Sequence, residues 1–387
     1  MNQTTVAVLF GGRSSEHEIS LRSCVYILQN IPKKYRIIPV GISRDGLFFS
    51  LEGTFTSDEF SNISTDDLAD IANGNICKIF KNKKNTKSVI LPFRKQTIEK
   101  NFTPDMRILN LDADCFFPVL HGQNGEDGRL QGLFELAELA YVGCDVRTSC
   151  VGIDKDIQKR LARDAGVAIA KYCAITREEF ESDPNAQLQK TEHTLGYPCF
   201  VKPNSSGSAI GTGKATDKET LQKALHEAFA FDQKVLIEEF VQGTEVECAF
   251  LGTALDHRVT VAGEIATQNF YSYEEKYAAA SQAELFLPAR LSPQRMDELH
   301  TIAEKVATTL GIFGLSRIDF WNCTKTNTFL FNEFNTLPGL TSISMFPKLL
   351  EHEGIAGHTW IEQLLNLAFA RKALVDKTQY GIKAAFH

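Results

Sequence analysis

The chain has 387 residues, 43% hydrophobic and 23% charged, with a formal net charge of -7. This is the balance of a soluble globular enzyme with room for two or three domains and their cores. The acidic total argues against a nucleic-acid surface, and the local basic run from Lys81 to Lys87 reads as solvated loop charge. Nine cysteines without a CxxC pair or metal-ligand spacing point to reduced, mostly buried thiols. The first apolar run, VAVLF, is too short for a signal segment, and no stretch reaches the length of a membrane span, so a cytoplasmic protein is expected.

Val6 to Phe10 has the continuous apolar character of a buried parallel strand; Gly11 and Gly12 follow, then a helical pattern through Ile19, Leu21, Cys24, Val25 and Leu28. Ser15 and Glu18 have the spacing of a capping box at the start of that helix. Residues 50–105 are polar and rich in Asn and Lys, with no motif that carries chemistry. CFFPVLHG then predicts a second buried strand, followed by a loop with glycines 122, 125 and 128 and a helix. His121 stands at the strand's C-terminal end, where open α/β sheets place ligands. It is either a satisfied structural residue or a substrate contact.

The stretch YPCFVKPNSSGSAIGTGKA predicts a strand carrying Lys202, then a loop from Asn204 to Gly213 made almost wholly of small residues. Small residues let backbone N–H groups approach phosphate oxygens, and a lysine at the loop base neutralises them. A flexible surface loop is the simpler alternative. The sequence is no Walker A motif, because its lysine precedes the glycines. VLIEEFVQGTEVECAFLG reads as a strand, a break at Gln242 and Gly243, and a further strand. Gln268 to Pro288 fits neither helical nor strand period and is expected to be a mobile lid. Pro293 to Leu310 is the clearest helix, with Met296, Leu299, Ile302, Ala303, Val306 and Leu310 on one core-facing stripe.

The stretch from Gly314 to Pro347 predicts two strands joined by a polar turn over residues 322–328, then a Pro-Gly loop. A two-residue period puts Arg317, Asp319 and Trp321 on one face of the first strand, and Phe329, Phe331, Glu333 and Asn335 on one face of the second. Pairing the strands brings Asp319 beside Glu333, with Asn335 just beyond. Carboxylate and amide oxygens are hard ligands, and three that converge with positions left open suit Mg²⁺ with a nucleotide's phosphates. Solvated polar positions on an edge hairpin are the bland alternative.

SRIDF followed by NEFNTLPGLTSISMFP, with LFGGRSSEHEIS upstream, resembles the signatures of the D-alanine:D-alanine ligases, members of the ATP-grasp superfamily. Similar motifs recur in order along nearly the whole chain. The resemblance implies an α/β ATP-grasp fold: an N-terminal Rossmann-like, pre-ATP-grasp domain that binds substrate (1–145), a central subdomain (146–242) and a C-terminal subdomain with an omega loop and a metal site (243–387). The nucleotide lies between the two α+β subdomains. Joining of two D-alanines through an acyl phosphate, for peptidoglycan precursors, is the implied activity, with ATP, two Mg²⁺ or Mn²⁺ ions and a homodimer. The alternatives are D-serine or D-lactate as second substrate, and a nucleotide-binding homologue without catalysis.

By the same resemblance, Glu16 meets the ammonium group of the first D-alanine, and Lys155 joins Lys202 and Lys276 on the phosphates. Glu238 accepts from the adenine amine, Phe240 and Val241 line the ring, and Glu245 meets the ribose. The omega loop carries Lys276 and Tyr277, and Tyr277 ties it to Ser208 and Glu16. Arg317 and the N–H of Gly339 hold an oxyanion, and Ser344 takes the second substrate's carboxylate. Met345 stands where ligases that use D-serine often have arginine; it either disfavours D-serine or packs beneath the loop. The 204–213 loop departs from the commoner family pattern at Asn204, Ser205 and Ser206, and Ala209 replaces a usual serine.

Overall fold

The computed structural model describes residues 3–51, 53–75, 80, 85–86, 111–266 and 284–378. The expected lid falls largely outside them, as do Lys276 and Tyr277. Three sheets organise the chain. The first contains β1 (Thr5–Gly11), β2 (Arg36–Ile42), β3 (Phe48–Leu51), β4 (Asn85–Thr86) and β5 (Cys115–Val119), in the order β4-β3-β2-β1-β5. Strand β1 runs parallel to both β2 and β5, the Rossmann-like core that the apolar runs predicted.

The second sheet is antiparallel: β6 (Tyr172–Thr176), β7 (Cys199–Pro203), β8 (Gly213–Ala215) and β9 (Lys234–Glu239), in the order β6-β9-β7-β8. The third contains β10 (Gly243–Gly252), β11 (His257–Val259), β12 (Gly263–Ala266), β13 (Glu284–Phe286), β14 (Gly314–Cys323) and β15 (Thr328–Asn335). Its order is β13-β12-β10-β14-β15, with β11 paired to β10. The helix Pro293–Leu310 covers it as the periodicity required: Leu299, Ala303, Val306 and Leu310 are buried, with Met296 and Ile302 packed at the margin.

Two features departed from strict sequence patterning. The first helix is His17–Asn30, capped at Glu16 with no side-chain cap bond; Glu18 pairs with Arg44 at 2.7 Å rather than with Ser15. It is Ser14 whose Oγ accepts from the Glu16 N–H, at 3.1 Å, so the chain turns into the helix one residue later than a Ser15 cap requires. The second departure is a β-bulge in β15. Asp319 pairs with Glu333 but Phe320 pairs with Phe331, so Asn332 is the extra residue. Phe329 and Phe331 therefore turn into the core while Glu333 and Asn335 face the other way with Arg317 and Asp319. The single face expected for all four is corrected by that one insertion.

The C-terminal helices Met345–His352 and Gly357–Val375 pack back on the first sheet's core, where Trp360 is fully buried, stacks on Tyr26 and meets Phe346 edge-on. Among the described cysteines all are free thiols, buried except for Cys150. No helix of the described residues is long and apolar enough to cross a membrane.

Candidate functional site

The second sheet comes within hydrogen-bond reach of the third where Lys202 on β7 meets Asn332 on β15, with acids predominating on the third sheet's wall and lysines on the other. On the acidic wall β10 pairs with β14 in a register that sets Glu247 opposite Asp319 and Glu245 opposite Trp321. Carboxylate oxygens of Glu245, Glu247 and Asp319 lie within 4.8 Å of one another. Arg317 neutralises the cluster: its Nε and Nη2 donate to the two oxygens of Asp319 at 2.7 and 2.6 Å, and Nε lies 3.2 Å from Glu247 Oε2. Burial opposes the charge on Arg317, but Asp319 and Glu247 outweigh it and raise the guanidinium pKa further. Asn335 Nδ2 donates to Asp319 Oδ2 at 3.0 Å.

These donors fit a hard divalent cation. They are carboxylate and amide oxygens, and Asp319 Oδ1, which accepts from Arg317 Nε, keeps a second lone pair for an ion, whereas Oδ2 accepts from both Arg317 and Asn335. The sequence reading had Asp319, Glu333 and Asn335 together, and the ladder brings them to one face. It missed Glu247, although the two-residue spacing from Glu245 already put both acids on the same side of β10.

On the basic wall Lys155 opens the helix Lys155–Asp164; its Nζ donates to the Ser206 carbonyl at 2.8 Å and lies 3.2 Å from Glu333 Oε2. Lys202 on β7 sits 2.7 Å from Glu238 Oε2 and 3.3 Å from Asn332 Oδ1. Lys159, one helical turn on from Lys155, lies 3.0 Å from Glu238 Oε1. Burial pushes the Glu238 carboxyl up, but Lys159 and Lys202 outweigh it and hold it down to about 2. Burial lowers the pKa of Lys159. For Lys202 burial acts the same way and is outweighed by Glu238 and Glu333, so its pKa is raised. Phe240 is 48% exposed at the cleft edge, its ring 6.0 Å from that of Phe200 and under Lys214, with the half-buried Val241 beside it.

The first domain meets the loop of the second sheet at Glu16. Ser208 Oγ donates to Glu16 Oε1, and the loop reaches it through left-handed backbone at Ser208 (φ 53°) and Ala209 (φ 55°). Two glycines admit the carboxylate: a β-carbon on Gly122 or Gly207 would stand 2.5 or 2.6 Å from Glu16 Oε2. Glu16, Gly122, Ser206 and Gly207 line a cavity of about 380 Å³ whose mouth carries Arg13 and Arg44.

Behind Glu16, His121 and Glu126 strap the first domain to the loop that follows β15. His121 Nδ1 lies 2.9 Å from the Leu337 carbonyl, so that nitrogen carries the proton; Nε2 accepts from Ser23 Oγ at 2.9 Å. Burial keeps the ring neutral, against the pull of Glu16. Both ring nitrogens are engaged inside the protein, which matches the structural alternative for His121. Glu126, passed over in the sequence, accepts from Gly122 N at 2.8 Å and from Leu337 N at 2.9 Å. Burial, then the charge of Glu16, pushes its carboxyl up to about 8.

That strapped loop ends at Gly339, where a β-carbon would stand 2.9 Å from Ser344 Oγ. Ser344 begins the helix Met345–His352 without a side-chain cap bond; its Oγ lies 2.7 Å from Thr341 Oγ1. Met345 is 6% exposed, and a β-carbon on Gly263 would stand 2.3 Å from its sulfur. It packs beneath the loop.

Residues 5–144 match the family model described as D-ala D-ala ligase N-terminus, and residues 161–366 the one described as D-ala D-ala ligase C-terminus. The chain is 38% identical over 383 residues to a protein named D-alanine--D-alanine ligase from Caldicellulosiruptor bescii, covering 98% of this chain and 99% of the relative. A ligase of the same name from Bacillus cytotoxicus is 35% identical over 384 residues, covering 99% of this chain and all of the relative. Among solved structures, the VanG D-Ala:D-Ser ligase from Enterococcus faecalis matches with TM-score 0.76 and 31% identity, over 95% of this chain and 100% of that one. The D-alanine-D-alanine ligase from Coxiella burnetii matches with TM-score 0.76 and 28% identity, over 97% of each chain.

Proposed function

The chain belongs to the D-alanine–D-alanine ligase family and has the family's ATP-grasp fold, and from that premise we propose that it joins two D-alanines at the expense of ATP, with the following residues doing the work. The observation that carries the reading is the meeting of lysines with oxygen donors, where Lys155 lies 3.2 Å from the Glu333 carboxylate and Lys202 3.3 Å from the neutral Asn332 amide oxygen. Phosphates of a nucleotide between these walls would meet ammonium groups on one side and metal-ligating oxygens on the other.

A carboxylate does not react with an amine at neutral pH without activation. The first D-alanine, its ammonium at Glu16, would therefore attack the γ-phosphorus through a carboxylate oxygen; the bond to the β-phosphate oxygen breaks and ADP leaves. Lys155 and Lys202, with Lys276, offset charge on the transferring group. A divalent cation held by Asp319, Glu333 and Asn335 would supply charge neutralisation at the phosphates when bound. The second D-alanine lies with its carboxylate at Ser344 and the N-terminus of the helix Met345–His352, where the dipole favours an anion. Its amine, once neutral, attacks the acyl carbon, and Arg317 and the Gly339 N–H receive the oxyanion before phosphate departs. Arg317 is fixed for that task by Asp319 and Glu247.

Glu238, Phe240, Val241 and Glu245 form the adenosine pocket in this reading. Domains divide at residues 145 and 242. D-serine is kept as a second reading for the second substrate because of the likeness to a D-Ala:D-Ser ligase. The test is product analysis with ATP and Mg²⁺ and equal D-alanine, D-serine and D-lactate, with L-alanine as control. D-Ala-D-Ala with phosphate release is expected; phosphate release without any peptide or ester sinks the ligase reading, and a dominant D-Ala-D-Ser product moves the specificity.

A further inference from the structure

Lys159 has a side chain only 1% exposed and plays no part in the mechanism above. It nevertheless holds one oxygen of Glu238, at 3.0 Å, while Lys202 holds the other, at 2.7 Å. The two lysines differ in freedom. Lys202 stands at the base of the 204–213 loop, also reaches Asn332, and is the one read as meeting phosphates. Lys159 rises from the helix Lys155–Asp164 beneath β15, its Nζ 3.5 Å from the Phe331 carbonyl, enclosed by protein. Were Lys202 to turn towards phosphates, Lys159 would remain on a carboxylate that is itself 3% exposed.

We propose that Lys159 is a positioning residue for base recognition, holding Glu238 in place as an ionised acceptor for the adenine amine whichever way Lys202 points. The proposal rests on the reading of Glu238 as that acceptor. A buried carboxylate that loses its counter-charge takes up a proton. A protonated acid can donate, so it would receive a 6-keto purine as readily as a 6-amino one, and discrimination between the two falls.

The test uses the full chain with Lys159→Met, Lys159→Arg, Glu238→Gln and the double variant Lys159→Met/Glu238→Gln, measuring KM and kcat with ATP and with inosine triphosphate. Lys159→Met should raise the KM for ATP about tenfold, narrow the ATP-to-ITP preference by about the same factor and leave kcat at saturating ATP within about threefold. Lys159→Arg should restore the preference, and the double variant should be no worse than Glu238→Gln, because Lys159 acts through that carboxylate. An unchanged ATP-to-ITP preference in Lys159→Met, or equal losses with both nucleotides that add to those of Glu238→Gln, overturns the proposal and leaves Lys159 a structural prop. If Lys159→Met does not fold, the comparison of the double variant with Glu238→Gln decides by the same criterion, since both buried charges are then removed together. A Glu238→Gln enzyme that discriminates ATP from ITP like the wild type overturns the pocket reading itself, and the proposal with it.

Discussion

Two buried glutamates divide the molecule's chemistry between them. Glu126 and Glu238 are both buried, yet the first is pushed up to about 8 and the second held down to about 2. Glu126 meets two backbone N–H groups and the nearby charge of Glu16, with no cation in hydrogen-bond contact among the described residues; Glu238 is gripped by two ammonium groups. Desolvation is common to both, so the partners set the difference. Glu126 joins the first domain to the loop leading to Gly339, and Glu238 lies in the wall read as nucleotide-binding. A buried acid is thus a strap in one place and, in the function proposed, a charged recognition group in the other.

The contrast breaks most visibly when Glu238 loses its charge. Glu238→Gln leaves Lys159 and Lys202 in a buried site without their anion and should cost about 3–5 kcal/mol in urea unfolding. A loss under about 1 kcal/mol would mean the lysines relax into solvent. Glu333 sharpens the comparison from between the extremes: its pair with Lys155 has side chains 21% and 11% exposed. Glu333→Gln takes the counter-charge from a largely buried lysine and should cost about 1–3 kcal/mol. It should also lower dipeptide formation at least 100-fold, about 2.7 kcal/mol of barrier, and activity within tenfold of wild type would remove Glu333 from the metal site. Glu126→Gln keeps one acceptor oxygen but turns an N–H group towards a backbone N–H. A stability loss of about 1–2 kcal/mol is expected, measured below pH 8 where the native acid is neutral.

Much of the site was legible because strand periodicity and pairing act over short distances. Asp319 and Glu333 fall opposite each other once the polar turn is recognised, and the Pro293–Leu310 stripe needed only its helical period. The bulge at Asn332 was not legible, since the sequence NEFN reads as regular strand and the extra residue shows only in the register with β14. Lys159 did carry a signal, four residues on from Lys155 and hence on the same helix face. Glu126 carried none. It sits in a glycine-rich loop without periodicity, and its partner Leu337 is 211 residues away, so only the folded chain reveals the strap.

The last effect concerns pH and separates the two acids by sign. Glu126 in the folded chain keeps its proton up to about 8, whereas an unperturbed carboxyl of value 4.5 releases it much earlier. Between those values the folded state binds more protons than the unfolded state, so Glu126 makes stability fall as pH rises through that window. Glu238 acts oppositely: its pKa near 2 against the ordinary 4.5 gives a contribution present above 4.5 and lost as pH falls towards 2. Denaturant midpoints followed from about pH 3 to about pH 8 should decline above about pH 5 in the wild type, and Glu126→Gln should flatten that decline while keeping the loss of stability below about pH 4.5. The backbone N–H groups on Glu126 favour its charged form, and burial with the charge of Glu16 outweighs them. A Glu126→Gln variant that runs parallel to the wild type over the whole range would show that Glu126 is ionised in the fold, and the two glutamates would then differ in partners but not in charge.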